Sequence, residues 1–405
     1  MLHLVFGSEE IVTRSGRIPL LIVGGGIGGL ATALAASQAG IHAHVIEKSQ
    51  EFAEIGAGLQ LAPNAMRALD HLGIYQDLRR HAFFPKKLVL MDALTAEPVV
   101  TLNVGEKFQA HFGYPYIVVH RGDLLSTELE ACRASALITL ESNKEAVHIE
   151  DLYDGARVTC SDGSVYECDA LIGADGLRSR VRRFVHDDGD PICAQCMCYR
   201  GAIPIEQAPP ESDLENMTVW VGPDIHFAQY VIHHGTVFNQ VAVFESHRYQ
   251  EGSDDWGSPD EFTEHFSHVH PRLRAAAATI KFDRRWPMFD RRPIDNWTRN
   301  RITLLGDAAH PMFQYLAQGA NQALEDAACL RDKLQDSGGD FSRAFLAYQN
   351  VRIPRTARVQ NAARFAGELF HVQGAGRAFR NLLLAKRTED DVEHLDWIWG
   401  YRGCE

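Results

Sequence analysis

Residues 20–47 read LLIVGGGIGGLATALAASQAGIHAHVIE, and this stretch decides the fold. Residues 20–23 make a short apolar strand, an Ala-rich helix over 30–38 stops at Gly40, and residues 42–46 read as the next strand, closing on Glu47. Between first strand and helix stand Gly24, Gly26 and Gly29 in G-x-G-x-x-G spacing, with the acid 23 residues beyond Gly24. Each position has a physical task. The first glycine permits a tight turn, the second lets backbone amides approach a pyrophosphate, and the third lets helix pack on strand. The helix N-terminus offers free N–H groups and the positive end of its dipole to phosphates. Glu47 would accept hydrogen bonds from a ribose diol. The pattern predicts an α/β fold built on a parallel sheet that holds a dinucleotide.

Composition narrows the class. The chain has 405 residues, 45% hydrophobic and 23% charged, which suits a globular protein of two to three domains. With 53 acidic against 40 basic residues the net charge is −13, which argues against general binding of nucleic acid or anionic membranes. An anionic substrate would have to be attracted locally. Eight cysteines are too few for a disulfide scaffold in a chain of this length, so a reduced, cytoplasmic setting is expected. Cys193 and Cys196 form a C-x-x-C without a second ligand pair nearby, and packing within a strand is the simpler reading. The N-terminus lacks a secretory pattern, and the apolar run 18–40 contains six glycines, so no membrane span is expected.

Further along, residues 64–72 read as a helix with Pro63 near its first turn, and residues 120–133 as another. Residues 165–174 form a strand ending in Asp175-Gly176, and residues 301–305 one ending in Gly306-Asp307. Residues 191–285 read mostly as alternating strands, 236–246 most clearly. Long helices follow at about 319–333 and 341–370, then a tail rich in Trp and charge. No repeat and no low-complexity linker separates these parts, so the domains should be interleaved.

Three distant segments then align: GGGIGG at 24–29, LIGADGLRSRVR at 171–182 and LLGDAAHPMFQYLAQGANQALEDA at 304–327. Together they resemble the single-component FAD-dependent aromatic hydroxylases, the group that includes p-hydroxybenzoate and salicylate hydroxylases. The resemblance covers essentially the whole chain from residue 20. It implies a Rossmann-like FAD-binding domain of the p-hydroxybenzoate hydroxylase type (18–85, 105–187 and 287–365). Interleaved with it would be an antiparallel-sheet substrate domain (86–104 and 188–286), with a C-terminal helical tail (366–405). Asp307 would then hydrogen-bond the ribityl chain of FAD, although a Gly-Asp pair is also a common cap. The amides of Gly319, Ala320 and Asn321 would sit beside the flavin ring, Arg121 would contact FAD phosphate or ribityl, and Asp175 would be a further FAD contact. Arg182 could be a structural ion pair, and His310 a structural neighbour of the Gly-Asp turn.

Segments outside the shared motifs, including GYPYIVVHRGDL (113–124), IHFAQY (225–230) and RWPMFDRRPIDNW (285–297), are similar to the members that act on 3-hydroxybenzoate. Here His226, Ala228 and Tyr230 alternate on one strand face, with Phe227 and Gln229 on the other, so His226 and Tyr230 lie roughly 13 Å apart. The resemblance makes His226, Tyr230 and Gln314 the catalytic candidates. His226 would be the base or proton relay, Gln314 would hold a phenol oxygen, and Tyr230 would orient the ring or its carboxylate. Read from the strand alone, His226 and Tyr230 could equally be satisfied core residues. Phe227, Leu316 and Met288 would supply apolar walls. The implied activity is NADH- and O2-dependent hydroxylation of a small aromatic carboxylate, 3-hydroxybenzoate to 2,5-dihydroxybenzoate (gentisate), through a flavin C4a-hydroperoxide. Rival readings are a decarboxylating hydroxylase of salicylate or 6-hydroxynicotinate, a non-catalytic FAD-binding sensor, and an NAD-dependent dehydrogenase using the first motif alone. No second G-x-G-x-x-G is present for the nicotinamide nucleotide. Family likeness also implies a homodimer, with the aromatic tail 397–401 either at its surface or packed on its own chain. Asp290, Arg291, Arg292 and Asp295 are expected in a solvated loop or an interdomain salt-bridge set.

Overall fold

In the computed structural model, which describes residues 16–53 and 58–403, the opening stretch forms a strand Ile18–Val23, a helix Ile27–Gln38 and a strand Ala43–Ile46. The strands lie parallel, Leu20 beside Ala43 and Val23 beside Ile46, and the helix is the crossover that parallel pairing requires. Gly24 has φ +111°, and a Cβ there would lie 2.3 Å from the carbonyl oxygen of Ala174. At Gly29 a Cβ would stand 1.9 Å from the Gly24 carbonyl oxygen, so the helix could not approach its own strand.

Around this unit the sheet orders Thr298–Arg299, Ile302–Leu304, Val165–Gly173, Ile18–Val23, Ala43–Ile46 and Ile138–Glu141, with Ala156–Cys160 added antiparallel to the first half of Val165–Gly173 and Ala146–Asp151 antiparallel to Ala156–Cys160. The carboxyl ends of three parallel strands therefore come out side by side. Ala174 N–H donates to Val23 O at 2.8 Å and Leu305 N–H donates to Gly173 O at 2.9 Å. Three motifs separated by more than a hundred residues thus meet at one sheet edge, where ligands of open α/β sheets bind.

A second sheet, seven-stranded among the described residues, runs Trp286–Asp290, Ile192–Pro204, Val237–Glu245, Ile225–Ile232, Met217–Gly222, Lys87–Asp92 and Pro98–Asn103. It is antiparallel except where Met217–Gly222 meets Lys87–Asp92, and its strands come from two separate stretches of chain. Cys193, Cys196 and Cys198 lie on the Ile192–Pro204 strand as free thiols. The outer face of this sheet is covered by helices Pro259–Ser267 and Pro271–Ala277, which correct the expectation of strands through residue 285. Their starts carry local signals: Ser258 accepts from Glu261 N–H and His270 from Arg272 N–H, each followed by a first-turn proline. Phe227 packs with Trp220, Phe244, Phe262 and Phe266 on this outer face, so it belongs to the core and is no cavity wall.

Long helices Gly319–Asp336 and Phe341–His371 back the first sheet. Between them lies an ionic cluster that is buried apart from Arg355, which is partly exposed. Arg352 donates to Asp326 at 2.7 Å and Glu325 at 2.6 Å, Arg355 reaches Glu325 at 2.9 Å, and His310 Nε2 lies 2.5 Å from Asp326. Burial alone would raise both carboxyl pKa values, but Arg352 beside Glu325, and His310 with Arg352 beside Asp326, oppose it and hold them below the ordinary range. Asp326 also accepts from Gly306 N–H at 3.0 Å, so the cluster fixes the Gly306-Asp307 turn and gives His310 a structural role. Arg182 is likewise structural, clamping Asp188 and the carbonyls of Ala308 and Ala309. Asp290 and Arg291 are buried in ion pairs with Arg364 and Asp188, as a salt-bridge set would be, whereas Arg292 and Asp295 are exposed. The aromatic tail packs on its own chain: Trp399 meets Phe108, Phe112 and Tyr116, while Tyr401 lies under Arg352 and Arg355. Among the described residues no helix is long and apolar enough to cross a membrane.

Candidate active site

A cavity of about 890 Å³ runs between the carboxyl edge of the first sheet and the inner face of the second. Gly26, Arg121, Asp307, Gly319 and Ala320 line one end, and His226, Tyr230 and Gln314 the other. A smaller cavity of about 440 Å³ is lined by Gly24, Glu47 and Asp175, and it shares Gly26, Ala174 and Gly176 with the first. The two form one continuous slot. Gly29 and Asn321 lie outside it: Gly29 supports the loop from below, and Asn321 is a buried clamp. The Asn321 side chain accepts from Ala62 N–H at 2.9 Å and donates to Gln60 O and Ala317 O at 3.0 and 2.8 Å.

Two helix N-termini open on this slot without a capping side chain, Ile27–Gln38 behind Gly26 and Gly319–Asp336 behind Gln318. Uncapped amides at both points are what a pyrophosphate and an electron-accepting ring with anionic character would need. Glu47 stands at the outer end, its carboxylate accepting from Gly25 N–H at 2.7 Å and Ser49 N–H at 2.9 Å. Asp307 is open to the slot but deep within the protein. Burial pushes its pKa up, against the opposing charges of His310 and Arg121. Asp175 differs from a simple cofactor contact: its carboxylate accepts from Ser179 Oγ and, at 2.7 and 3.3 Å, from the N–H groups of Arg180 and Val181. It caps the helix Arg180–Val185 and so holds the 174–176 turn against the slot. These residues fit an extended dinucleotide.

The other end is a grid made by strand register. His226 sits opposite Val243, which sits opposite Cys198; the next row is Ala228, Val241 and Arg200; the third is Tyr230, Asn239 and Ala202. Neighbouring strands are about 4.8 Å apart, so Arg200 starts roughly 10 Å from Ala228 and reaches back across the small middle row. The floor between, at Ala228 and Val241, is apolar. Gln314 stands above it on the loop after Phe313, with Oε1 3.4 Å from the Arg200 guanidinium and Nε2 3.8 Å from Cys198 Sγ. Arg200 also stacks 5.0 Å from the Trp286 ring, and its Nε has no hydrogen-bond partner. Nothing in the local sequence marks Arg200, because only pairing of three strands brings it here.

Electrostatics set these groups apart. Burial lowers the His226 pKa well below the ordinary imidazole value, with His371 adding to the shift, which favours the neutral ring. Burial pushes Tyr230 up to about 12, which leaves it a hydroxyl donor. Arg200 is a permanent cation beside them. Leu316 and Met288 contribute apolar lining.

The sequence profile of the FAD binding domain family matches residues 17–363. The chain belongs to the FAD-dependent aromatic hydroxylases. It is 39% identical over 383 residues to the 3-hydroxybenzoate 6-hydroxylase of Klebsiella oxytoca, covering 94% of this chain and 96% of that one. It is also 39% identical over 388 residues to 3-hydroxybenzoate 6-hydroxylase 1 of Aquipseudomonas alcaligenes, covering 95% and 98%. In three dimensions the hydroxylase resembles HpxO of Klebsiella pneumoniae, whose crystal structure is complexed with FAD and uric acid. The TM-score is 0.84 at 23% identity, with 97% of this chain and 99% of that chain covered, a likeness of fold.

Proposed function

We propose that this hydroxylase uses NADH and O2 to convert 3-hydroxybenzoate to 2,5-dihydroxybenzoate. The single observation that carries the reading is the grid: a ring-sized apolar floor at Ala228 and Val241, bounded by a neutral imidazole and a permanent cation. Relatives named 3-hydroxybenzoate 6-hydroxylase support the reading. FAD would lie along Gly24, Gly26, Glu47, Arg121, Asp175 and Asp307 with its ring toward Gly319 and Ala320, and when bound it takes electrons from the nicotinamide nucleotide and activates O2 for transfer to the ring. The FAD-binding body would comprise 18–85, 105–187 and 287–365, and the substrate body 86–104 and 188–286.

The chain's own side chains prepare the substrate. Arg200 pairs with the carboxylate and supplies the local attraction that a protein of net charge −13 lacks elsewhere. His226 accepts the phenolic proton. The resulting phenolate is electron-rich at the carbon para to oxygen, which in 3-hydroxybenzoate is C6. Gln314 Nε2, on the His226 side of the grid, donates to the phenolate oxygen, and Tyr230 OH orients the ring. Leu316 and Met288 keep water from the reacting atoms. A panel of hydroxybenzoates with product identification tests this reading. Carbon dioxide release from salicylate or 6-hydroxynicotinate would favour decarboxylating hydroxylation, and flavin binding without aromatic-stimulated NADH oxidation would favour a sensor.

A further inference from the structure

His226 is not alone behind the cavity. Its Nδ1 lies 2.9 Å from Nε2 of His371, the last residue of the Phe341–His371 helix, 145 positions away. Both rings are buried. Four other groups face His371 from different elements: Asp224 in the turn before Ile225–Ile232, Arg380 on the helix Gly374–Leu384, His265 on Pro259–Ser267, and the Tyr315 ring 5.6 Å away. The Asp224 N–H donates to the His371 carbonyl at 3.2 Å. Its carboxylate accepts from Gln373 at 2.6 and 2.7 Å and lies 3.6 Å from His247, whose side chain is 65% exposed. The bonded rings thus begin at the cavity, and the backbone of His371 is held by Asp224, which lies against the exposed His247.

The chemistry asks for such a pair of rings. A base that keeps the phenolic proton here becomes a buried imidazolium with no carboxylate bonded to it, which its surroundings disfavour. Two bonded imidazoles avoid that by exchanging tautomers.

We propose that His371 is the outward half of a two-imidazole relay that carries the substrate's phenolic proton from His226 to solvent beside Asp224. The phenol O–H breaks as N–H forms at His226 Nε2. The His226 Nδ1 proton passes to His371 Nε2, and the His371 Nδ1 proton leaves to water. Both rings end neutral with their tautomers reversed, and one proton reaches bulk. His371 acts through His226 and is a positioning residue. The inference rests on the reading of His226 as the group that takes the phenolic proton.

The test is rapid mixing of the FAD-loaded protein with 3-hydroxybenzoate in weak buffer containing a pH indicator. Wild-type protein is expected to release about one proton per bound ligand, and His226→Gln none. His371→Gln keeps a partner for His226 Nδ1 but has no second ring nitrogen, so release should slow about tenfold or more while ligand affinity and bound flavin stay unchanged. His371→Ala should be slow in the same way and regain speed with added imidazole. Wild-type release rates in His371→Gln, or in His371→Ala without imidazole, would overturn the relay and leave the base intact. No release from wild type, or undiminished release from His226→Gln, would overturn the base and the relay together.

Discussion

His226 owes its proposed chemistry to its surroundings: buried apart from the cavity it lines, it is biased toward the neutral ring where an exposed imidazole would be partly protonated. General acid–base help of this kind contributes about 10²- to 10⁴-fold in rate, so His226→Ala should slow hydroxylation by that range and retain FAD. Turnover within a few-fold of wild type would remove His226 from the reaction. Arg200 has a different signature. A charge-assisted hydrogen bond contributes about 1.5–3 kcal/mol, and 1.4 kcal/mol is tenfold in binding. Arg200→Met should therefore raise KM for a hydroxybenzoate by about ten- to a hundredfold with kcat much less affected, since the carboxylate is held equally in ground and transition states. An unchanged KM would place the carboxylate elsewhere.

At the scale of elements, the Gly306-Asp307 turn is held from behind by helices Gly319–Asp336 and Phe341–His371 and the ions buried between them. Arg352→Met would leave Glu325 and Asp326 without their central cation, a change that costs about 3–5 kcal/mol in buried pairs. Thermal unfolding should fall by several degrees, and FAD should be held less firmly. Breaking the exposed Lys86–Glu215 pair, whose side chains are about two-thirds exposed, should leave the unfolding temperature where it is. Equal effects from both variants would contradict the assignment. The elements differ in how readily the sequence discloses them. The glycine loop, Asp175-Gly176 and Gly306-Asp307 are legible because a phosphate cradle needs particular residue types at fixed local spacing. Asp175 is legible as a motif yet not in its bonding, since only the fold shows that its carboxylate caps Arg180–Val185. Helices Pro259–Ser267 and Pro271–Ala277 are hidden by their shortness among strands, although Ser258-Pro259 and His270-Pro271 announce both starts. Arg200 and His371 are silent in sequence: one depends on the register of three strands, the other on a partner 145 residues away.

Taken whole, the molecule sets two sheets across one slot, the first offering uncapped helix amides and the second an apolar floor with an imidazole and a guanidinium. Its acid excess keeps the bulk surface unattractive to anions, so on the proposed reading selection of an aromatic carboxylate would fall to Arg200. The central claim is that cofactor and phenol share this slot and that oxygen is delivered para to the hydroxyl. The most direct measurement is product analysis after the purified, FAD-loaded protein consumes NADH with 3-hydroxybenzoate under isotopically heavy dioxygen. The predicted result is 2,5-dihydroxybenzoate carrying one heavy oxygen at the new hydroxyl, formed in step with NADH loss. Substrate recovered unchanged while hydrogen peroxide accumulates, or a hydroxyl placed at another carbon, would contradict it.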